Sequence, residues 1–295
     1  MNAISSFFSG ANAAYTVDTL FSNSKTVSAT GTSSRAPVAT SGGTAAPEQT
    51  AGQKALARIV EILTFGSPDA TAAPDVEEQL GYITSARGTE ADDTLTMTGR
   101  ALYDLDTAAG NDSLTLKSAS ISGIALGDGN DTLQAAGSFV GSVDGGAGDD
   151  TIKIKAQLAL DVLGGAGKDM IAVSADTIIG LDGGEGDDTL NLEGNRIFAT
   201  GGAGSDTVTL RQTGADSDVE YSFGRGGGKD TIASNGPLSI RFDGLSEKDL
   251  SVSVSGDTLT ARINGSDDAI SVTLDGTSLT SRFAIENGRT VLKIG

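Results

Sequence analysis

Between residues 93 and 233 the apolar positions return at a nearly constant interval. Aspartates set the register: Asp93, Asp112, Asp131, Asp150, Asp169, Asp188, Asp206 and Asp230, at steps of 19, 19, 19, 19, 19, 18 and 24 residues. Two residues after them stand Leu95, Leu114, Leu133, Ile152, Ile171, Leu190, Val208 and Ile232, and four after them Met97, Leu116, Ala135, Ile154, Val173, Leu192 and Leu210. Apolar residues two apart with polar ones between describe a strand with one buried face. Six residues after the aspartate the side chain is always small (Gly99, Ser118, Gly137, Ala156, Ala175, Gly194), as a tight turn stacked on its own copies requires. Twelve after it come Leu105, Ile124, Val143, Val162 and Leu181, which predict a second strand facing the first. Self-similarity at such a period signals a solenoid. The predicted fold is all-β: a parallel β-roll of about seven 19-residue coils around a narrow double row of Leu, Ile and Val.

The flanks have other patterns. Residues 1–50 are rich in Ser, Thr, Ala and Gly and are expected to be disordered. In AGQKALARIVEILTF, residues 51–65, Leu56, Ile59, Val60 and Leu63 recur at helical spacing. A short amphipathic helix is expected there, read first as a lid on the first coil, since repeat arrays need capped ends, and second as a membrane or partner helix. It heads a lead-in cap over 51–87, and the roll then spans 88–236. Past Pro237, LSIRFDGL, DLSVSVSG, DTLTARING, AISVTLDG and SRFAIENGRTVLKI alternate in period two, with hairpin signals at 255–257 and 286–288. A β-rich C-terminal cap over 237–295 is expected. The 24-residue step carries an insertion with Asp216, Asp218 and Glu220, read as a solvated loop rather than an added ion site.

Composition narrows the chemistry. The net charge is −19, which disfavours nucleic acid and anionic lipid and favours cations. There is no Cys and no His, so disulfides, thiolate catalysis, histidine triads and zincin sites are excluded. No G-x-S-x-G elbow occurs; a non-enzyme is expected. The first basic residue is Lys25, so the N-terminus lacks the pattern of a Sec signal, and no apolar run is long enough to span a membrane.

The candidate chemistry lies in the turn that precedes each aspartate. The segment GGAGDDTIKI at 145–154 packs three glycines and two aspartates ahead of a strand. Glycine allows close backbone approach, and paired carboxylates repel unless something neutralises them. The same pattern returns as GGAGKDMIA at 164–172, GGEGDDTLN at 183–191 and GGAGSDTVT at 201–209. Degenerate copies are LGDGNDTLQ at 126–134, TAAGNDSLT at 107–115, RGGGKDTIA at 225–233 and GTEADDTLT at 88–96.

These nonapeptides resemble G-G-x-G-x-D-x-U-x, the calcium-binding repeat of RTX or haemolysin-type proteins. The resemblance covers about half the chain. It implies half-site turns, with Ca2+ between consecutive turns, held by the motif aspartates and by backbone carbonyls of the Gly-rich segment. Carried over, the aspartates are Asp131, Asp150, Asp169, Asp188 and Asp206, with Asp112 and Asp230 at the ends. The accompanying turn positions are Gly145, Ala147 and Asp149; Gly164, Ala166 and Lys168; Gly183, Glu185 and Asp187; and Gly201, Ala203 and Ser205. The family's usual coil carries two motifs in 18 residues, whereas this one carries one in 19. One row of ions on one edge is therefore expected, about four and up to six. Lys168 and Lys229 precede their motif aspartates and would weaken those sites by charge.

The resemblance further implies a type I secretion exporter reading an uncleaved C-terminus. It implies a secreted, non-enzymatic protein folding on extracellular calcium and acting at the cell surface, in the matrix, or as a released effector, with cell-surface or matrix polysaccharide as a partner. The alternative is a calcium-dependent module of a carbohydrate-active extracellular enzyme. A pore-forming toxin lacks its long apolar segments here, and an ice-binding lattice is interrupted at Met170.

Overall fold

A computed structural model of the protein describes residues 84–275 and 279–295. The expected helix at 51–65 and the low-complexity segment at 1–50 lie outside the described residues. The chain divides into two units, 1–82 and 83–295, and every described strand belongs to the second.

Strands β1 (Thr84–Arg87), β2 (Thr94–Asp106), β3 (Ser113–Asp128), β4 (Thr132–Ala136), β5 (Phe139–Ala147), β6 (Thr151–Lys155), β7 (Leu158–Ala166) and β8 (Met170–Ser174) begin the roll. It continues through β9 (Thr177–Glu185), β10 (Thr189–Gly194), β11 (Arg196–Ala203), β12 (Thr207–Gln212), β13 (Asp218–Phe223), β14 (Lys229–Ser234) and β15 (Leu238–Phe242). All pair in parallel with the strand one coil away, residue i facing i+19 through most of the roll (Ile152↔Ile171, Val143↔Val162), i+18 from β10 to β12, i+22 from β11 to β13 and i+24 from β12 to β14. β2 and β3 are long because each runs through its bare turn and contributes to both faces. The result is a parallel β-solenoid of about eight coils rather than seven. The sequence undercounted because the first copies keep little of the glycine motif, while their strands pair like the rest.

Each face buries alternate residues. In β6, Ile152 and Ile154 point inward and Lys153 and Lys155 outward. The first face supplies the predicted columns headed by Leu114 and Leu116. The second supplies the predicted column of Leu105, Ile124, Val143, Val162 and Leu181. A further buried column, Leu102, Ile121, Val140, Ala159, Ile178 and Ile197, completes the core.

The 18-residue step has a local cause. On the second face one residue per coil, Asp104, Gly123, Ser142, Asp161 or Gly180, adopts positive φ between 49° and 72° and bulges out of the ladder. Between β9 and β11 the pairing moves from Ile179↔Phe198 to Leu181↔Ala199, so Gly180 has no counterpart. The short coil is the one without its bulge. The long coil places Thr213–Ser217 between β12 and β13. Of the three acidic residues read as part of a solvated loop, Asp216 lies between the strands, whereas Asp218 and Glu220 stand on β13, where Asp218 pairs with Arg196 at 3.9 Å and Glu220 with Arg241 at 2.7 Å.

Past β15 the pairing becomes mostly antiparallel, with one further parallel rung on the first face. β16 (Leu250–Ser255), β17 (Thr258–Ile263) and β18 (Ala269–Leu274) form an antiparallel meander, and β18 joins β14 in parallel. β19 (Ser281–Glu286) and β20 (Arg289–Ile294) form a hairpin whose β20 joins β15 antiparallel. Both expected hairpin turns are present, at 256–257 and at Asn287-Gly288; in the second, both central residues have φ above zero.

Ala108 takes φ 74° in a column whose other members, Gly127, Gly146, Gly165, Gly184 and Gly202, are glycines. A left-handed conformation costs an L-residue about 1–2 kcal/mol, partly offset by the greater freedom of glycine in the unfolded chain. Ala108→Gly is expected to raise stability by about 0.5–1 kcal/mol, read as an upward shift of the thermal or denaturant midpoint.

Candidate metal centre

The glycine motif is half strand and half turn. Gly145, Gly146 and Ala147 still pair as the end of β5, so the chain reverses only over 148–150. This corrects the expectation of one Gly-Asp turn, and the reason is the directness of the stacking. A Cβ built on Gly146 would lie 2.0 Å from the Gly127 carbonyl oxygen of the coil before it. Side chains are excluded there by the neighbouring backbone, with or without an ion.

The motif aspartates turn inward. Asp112, Asp131, Asp150, Asp169, Asp188, Asp206 and Asp230 are 1–2 % exposed. They form a continuous ladder: the backbone N–H of Asp93, Asp112, Asp131, Asp150, Asp169, Asp188 and Asp206 each donates to Oδ1 of the aspartate one coil later, at 2.6–3.1 Å. The other oxygen, Oδ2, points at the first glycine of its own motif: a Cβ on Gly145, Gly164, Gly183 or Gly201 would come within 2.0–2.7 Å of it. In Asp112, Asp131, Asp150, Asp169, Asp188 and Asp206 this oxygen is buried with no hydrogen-bond partner.

The ladder ends on hydroxyl groups. The Tyr221 hydroxyl donates to Oδ2 of Asp230 at 2.7 Å, and Thr89 donates its N–H and its hydroxyl to Oδ2 of Asp93 at 2.7 and 3.0 Å. Beyond Asp230 the next rung carries Ile270, which has no acceptor. Neither Tyr221 nor Thr89 was found from the sequence. Tyr221 was visible only as an aromatic residue inside the irregular 24-residue step, and its ring is wholly buried.

A second ladder runs on the outside in the opposite sense. The N–H of Asn111, Asn130, Asp149 and Lys168 donates to the side-chain oxygen of Asp92, Asn111, Asn130 and Asp149, one coil earlier, at 2.8–2.9 Å. Ser205 repeats this with Asp187 at 2.8 Å. Lys168 offers no acceptor, so the series skips Asp187. The position before the motif aspartate thus works through its side chain, a role not anticipated from the sequence. Ala147, Ala166, Glu185 and Ala203 are exposed, and each carbonyl accepts the N–H of a glycine one coil earlier at 2.7 Å.

The electrostatics are one-sided. None of the ion pairs among the described residues includes a ladder aspartate. Burial, reinforced by neighbouring carboxylates, pushes Asp150 and Asp188 up to about 7. Burial likewise raises Asp230 to about 7, against the lowering effect of its bond from Tyr221. Asp131, Asp169 and Asp206 are raised by the same desolvation. A row of buried carboxyls without basic partners must be neutralised by protons or by cations.

The donor set suits a hard cation. Six of the motifs offer one orphaned carboxylate oxygen each, and their carbonyls keep a lone pair beyond the one used between coils. Among the described residues no three acidic side chains gather in one metal cluster, so an ion here would draw mainly on backbone oxygens. No protein-family model and no curated protein matches the chain. Among the described residues no helix is long and apolar enough to cross a membrane.

Proposed function

We propose that the chain is a calcium-binding β-solenoid of the RTX kind, folded by the ions it takes along its aspartate edge. The observation that carries this reading is the row of six orphaned Oδ2 atoms, buried and unpaired by any basic side chain. Asp112, Asp131, Asp150, Asp169, Asp188 and Asp206 would hold Ca2+ together with turn carbonyls at the first, third and fifth motif positions. Asp230, whose Oδ2 is already taken by Tyr221, would contribute least. Calcium supplies positive charge in a region that otherwise stacks carboxylates at the strand spacing of about 4.8 Å.

Ion binding to the folded state alone drives folding by linkage. Extracellular modules of this kind bind at about 10⁻⁴–10⁻³ M, above cytosolic calcium. The chain would stay extended inside the cell, pass a type I exporter, and fold outside as a non-enzymatic surface, matrix or released protein. The export and localisation steps rest on the motif resemblance alone.

A second reading is favoured by one observation: stacking already accounts for the glycines, and the ladder bonds already account for Oδ1. The roll would then be a metal-free acidic solenoid with a protonated ladder. Calcium titrated into chelated protein at pH 8, followed by far-UV circular dichroism with magnesium as control, separates the two. The calcium reading expects a cooperative gain of β signal near millimolar calcium that magnesium does not reproduce. A spectrum already folded in chelator and indifferent to calcium overturns it.

A further inference from the structure

We propose that the outer surface of the first face binds a linear carboxylated glycan. A groove of about 630 Å³ runs along this face at the end near the bare turn. Its lining repeats coil after coil, from Thr115–Lys117 through β4, β6, β8 and β10 to Thr209 and Arg211. It therefore extends along the solenoid axis across six coils, about 24 Å at ~4.8 Å per coil.

The charge here is opposite to that of the molecule. The chain carries −19 overall, yet Lys117, Lys153, Lys155 and Arg211 line this groove and Glu193 is its only acid. Glu193 is matched by Arg211 at 3.8 Å. Lys117, Lys153 and Lys155 are exposed and belong to no ion pair among the described residues. The register places Lys117 and Lys155 in one column, two coils apart, with Ala136 between them. That is about 10 Å along the axis, and Lys153 stands beside Lys155 on the same strand.

Two ammonium groups about 10 Å apart on a straight groove, with a third beside them, match carboxylates spaced along a straight polymer. Thr115, Gln134, Asn191 and Thr209 stand exposed along the same groove and offer donors and acceptors for sugar hydroxyls. Nucleic acid is the poorer occupant: the groove has no aromatic side chain on which a base could stack, and the chain's overall charge repels a dense polyanion. The inference needs the folded solenoid only, and holds whether protons or calcium neutralise the aspartate ladder.

The test uses the full chain, in whichever of the calcium-loaded and chelated states gives the folded β spectrum. A short oligogalacturonate is titrated by calorimetry, with neutral maltohexaose and a single-stranded DNA of equal charge as comparisons. Saturable binding of the oligouronate, weakened by salt, is expected. Lys117→Gln with Lys153→Gln and Lys155→Gln should weaken it at least tenfold. The triple change Lys248→Gln, Arg262→Gln and Arg282→Gln, outside the groove, should change it less than threefold. Calcium bridging between acidic turns and the uronate would leave the groove variant unaffected, and that result overturns the proposal. So does absence of saturable binding by the wild type, equal loss in both triple variants, or DNA or maltohexaose binding as tightly. A lost calcium response with intact oligouronate binding would sink only the calcium reading.

Discussion

Asp169→Asn is expected to leave the chelated chain nearly as stable as the wild type and to raise the calcium concentration needed for folding about ten- to a hundredfold. The asymmetry arises from the two oxygens of the side chain. Oδ1 accepts the N–H of Asp150 at 2.8 Å, and an asparagine oxygen can accept the same bond. Oδ2 has no partner, so its replacement by an amide removes a buried negative charge without breaking a hydrogen bond. The new amide is itself unsatisfied, which costs about 1–3 kcal/mol, set against relief of the charge. In calcium the balance differs, because Asp169 lies between two inter-coil gaps and the affinity of such sites depends on the count of charged ligands. A shift of ten- to a hundredfold corresponds to about 1.4–2.8 kcal/mol. Calcium titrations by circular dichroism at pH 8, and denaturant melts in chelator at pH 5, where protons neutralise the ladder, measure both halves. Equal destabilisation in the two conditions would make the aspartate a ladder residue and nothing more.

The roll was legible in the sequence because its pattern is enforced in every coil. A strand with one buried face must alternate, and a stacked coil must repeat, so the columns headed by Leu114, Leu116 and Leu105 could be read directly. The column headed by Leu102 keeps the same 19-residue interval but falls beside the bare turn, where small residues and bulges blur the alternation. The bulge residues Asp104, Gly123, Ser142, Asp161 and Gly180 share a conformation and not a side-chain type, so no single-letter pattern marks them. The aspartates could be placed as a row, but not their inward orientation, since exposed and buried carboxylates are written with the same letter. The two positions that end the ladder, Thr89 and Tyr221, depend on contacts between chain-distant residues within irregular coils. At the groove, Lys117, Lys153 and Lys155 looked like ordinary outward-facing residues. Only the register, which sets Lys117 and Lys155 two rungs apart in one column, gives them a common direction.

In chelator, stability is expected to fall as pH rises from about 4 to about 7, and in saturating calcium to rise over the same range. Folded Asp150, Asp188 and Asp230 hold their protons up to about 7, whereas the unfolded carboxyls release theirs near 3.8. Between those values the folded state binds more protons than the unfolded state, so raising the pH favours unfolding. The stabilising contribution is complete below the unfolded value and is lost as pH passes the folded one. A rise from 3.8 to about 7 corresponds to about 4 kcal/mol at face value, and about half of that once screening at the turn edge is allowed for. Three such groups make an effect of several kcal/mol, comparable with the whole stability of an ordinary domain. Calcium reverses the sign because it binds the deprotonated carboxylates, so protons compete with it and acid releases it. Urea midpoints at pH 5 and pH 8, each with chelator and with millimolar calcium, give four values. The expected order places chelator at pH 8 lowest, with calcium restoring stability there and doing little at pH 5. A chelated chain as stable at pH 8 as at pH 5 would mean that the ladder carboxyls are better solvated than their burial indicates, and the electrostatic case for a cation would go with it.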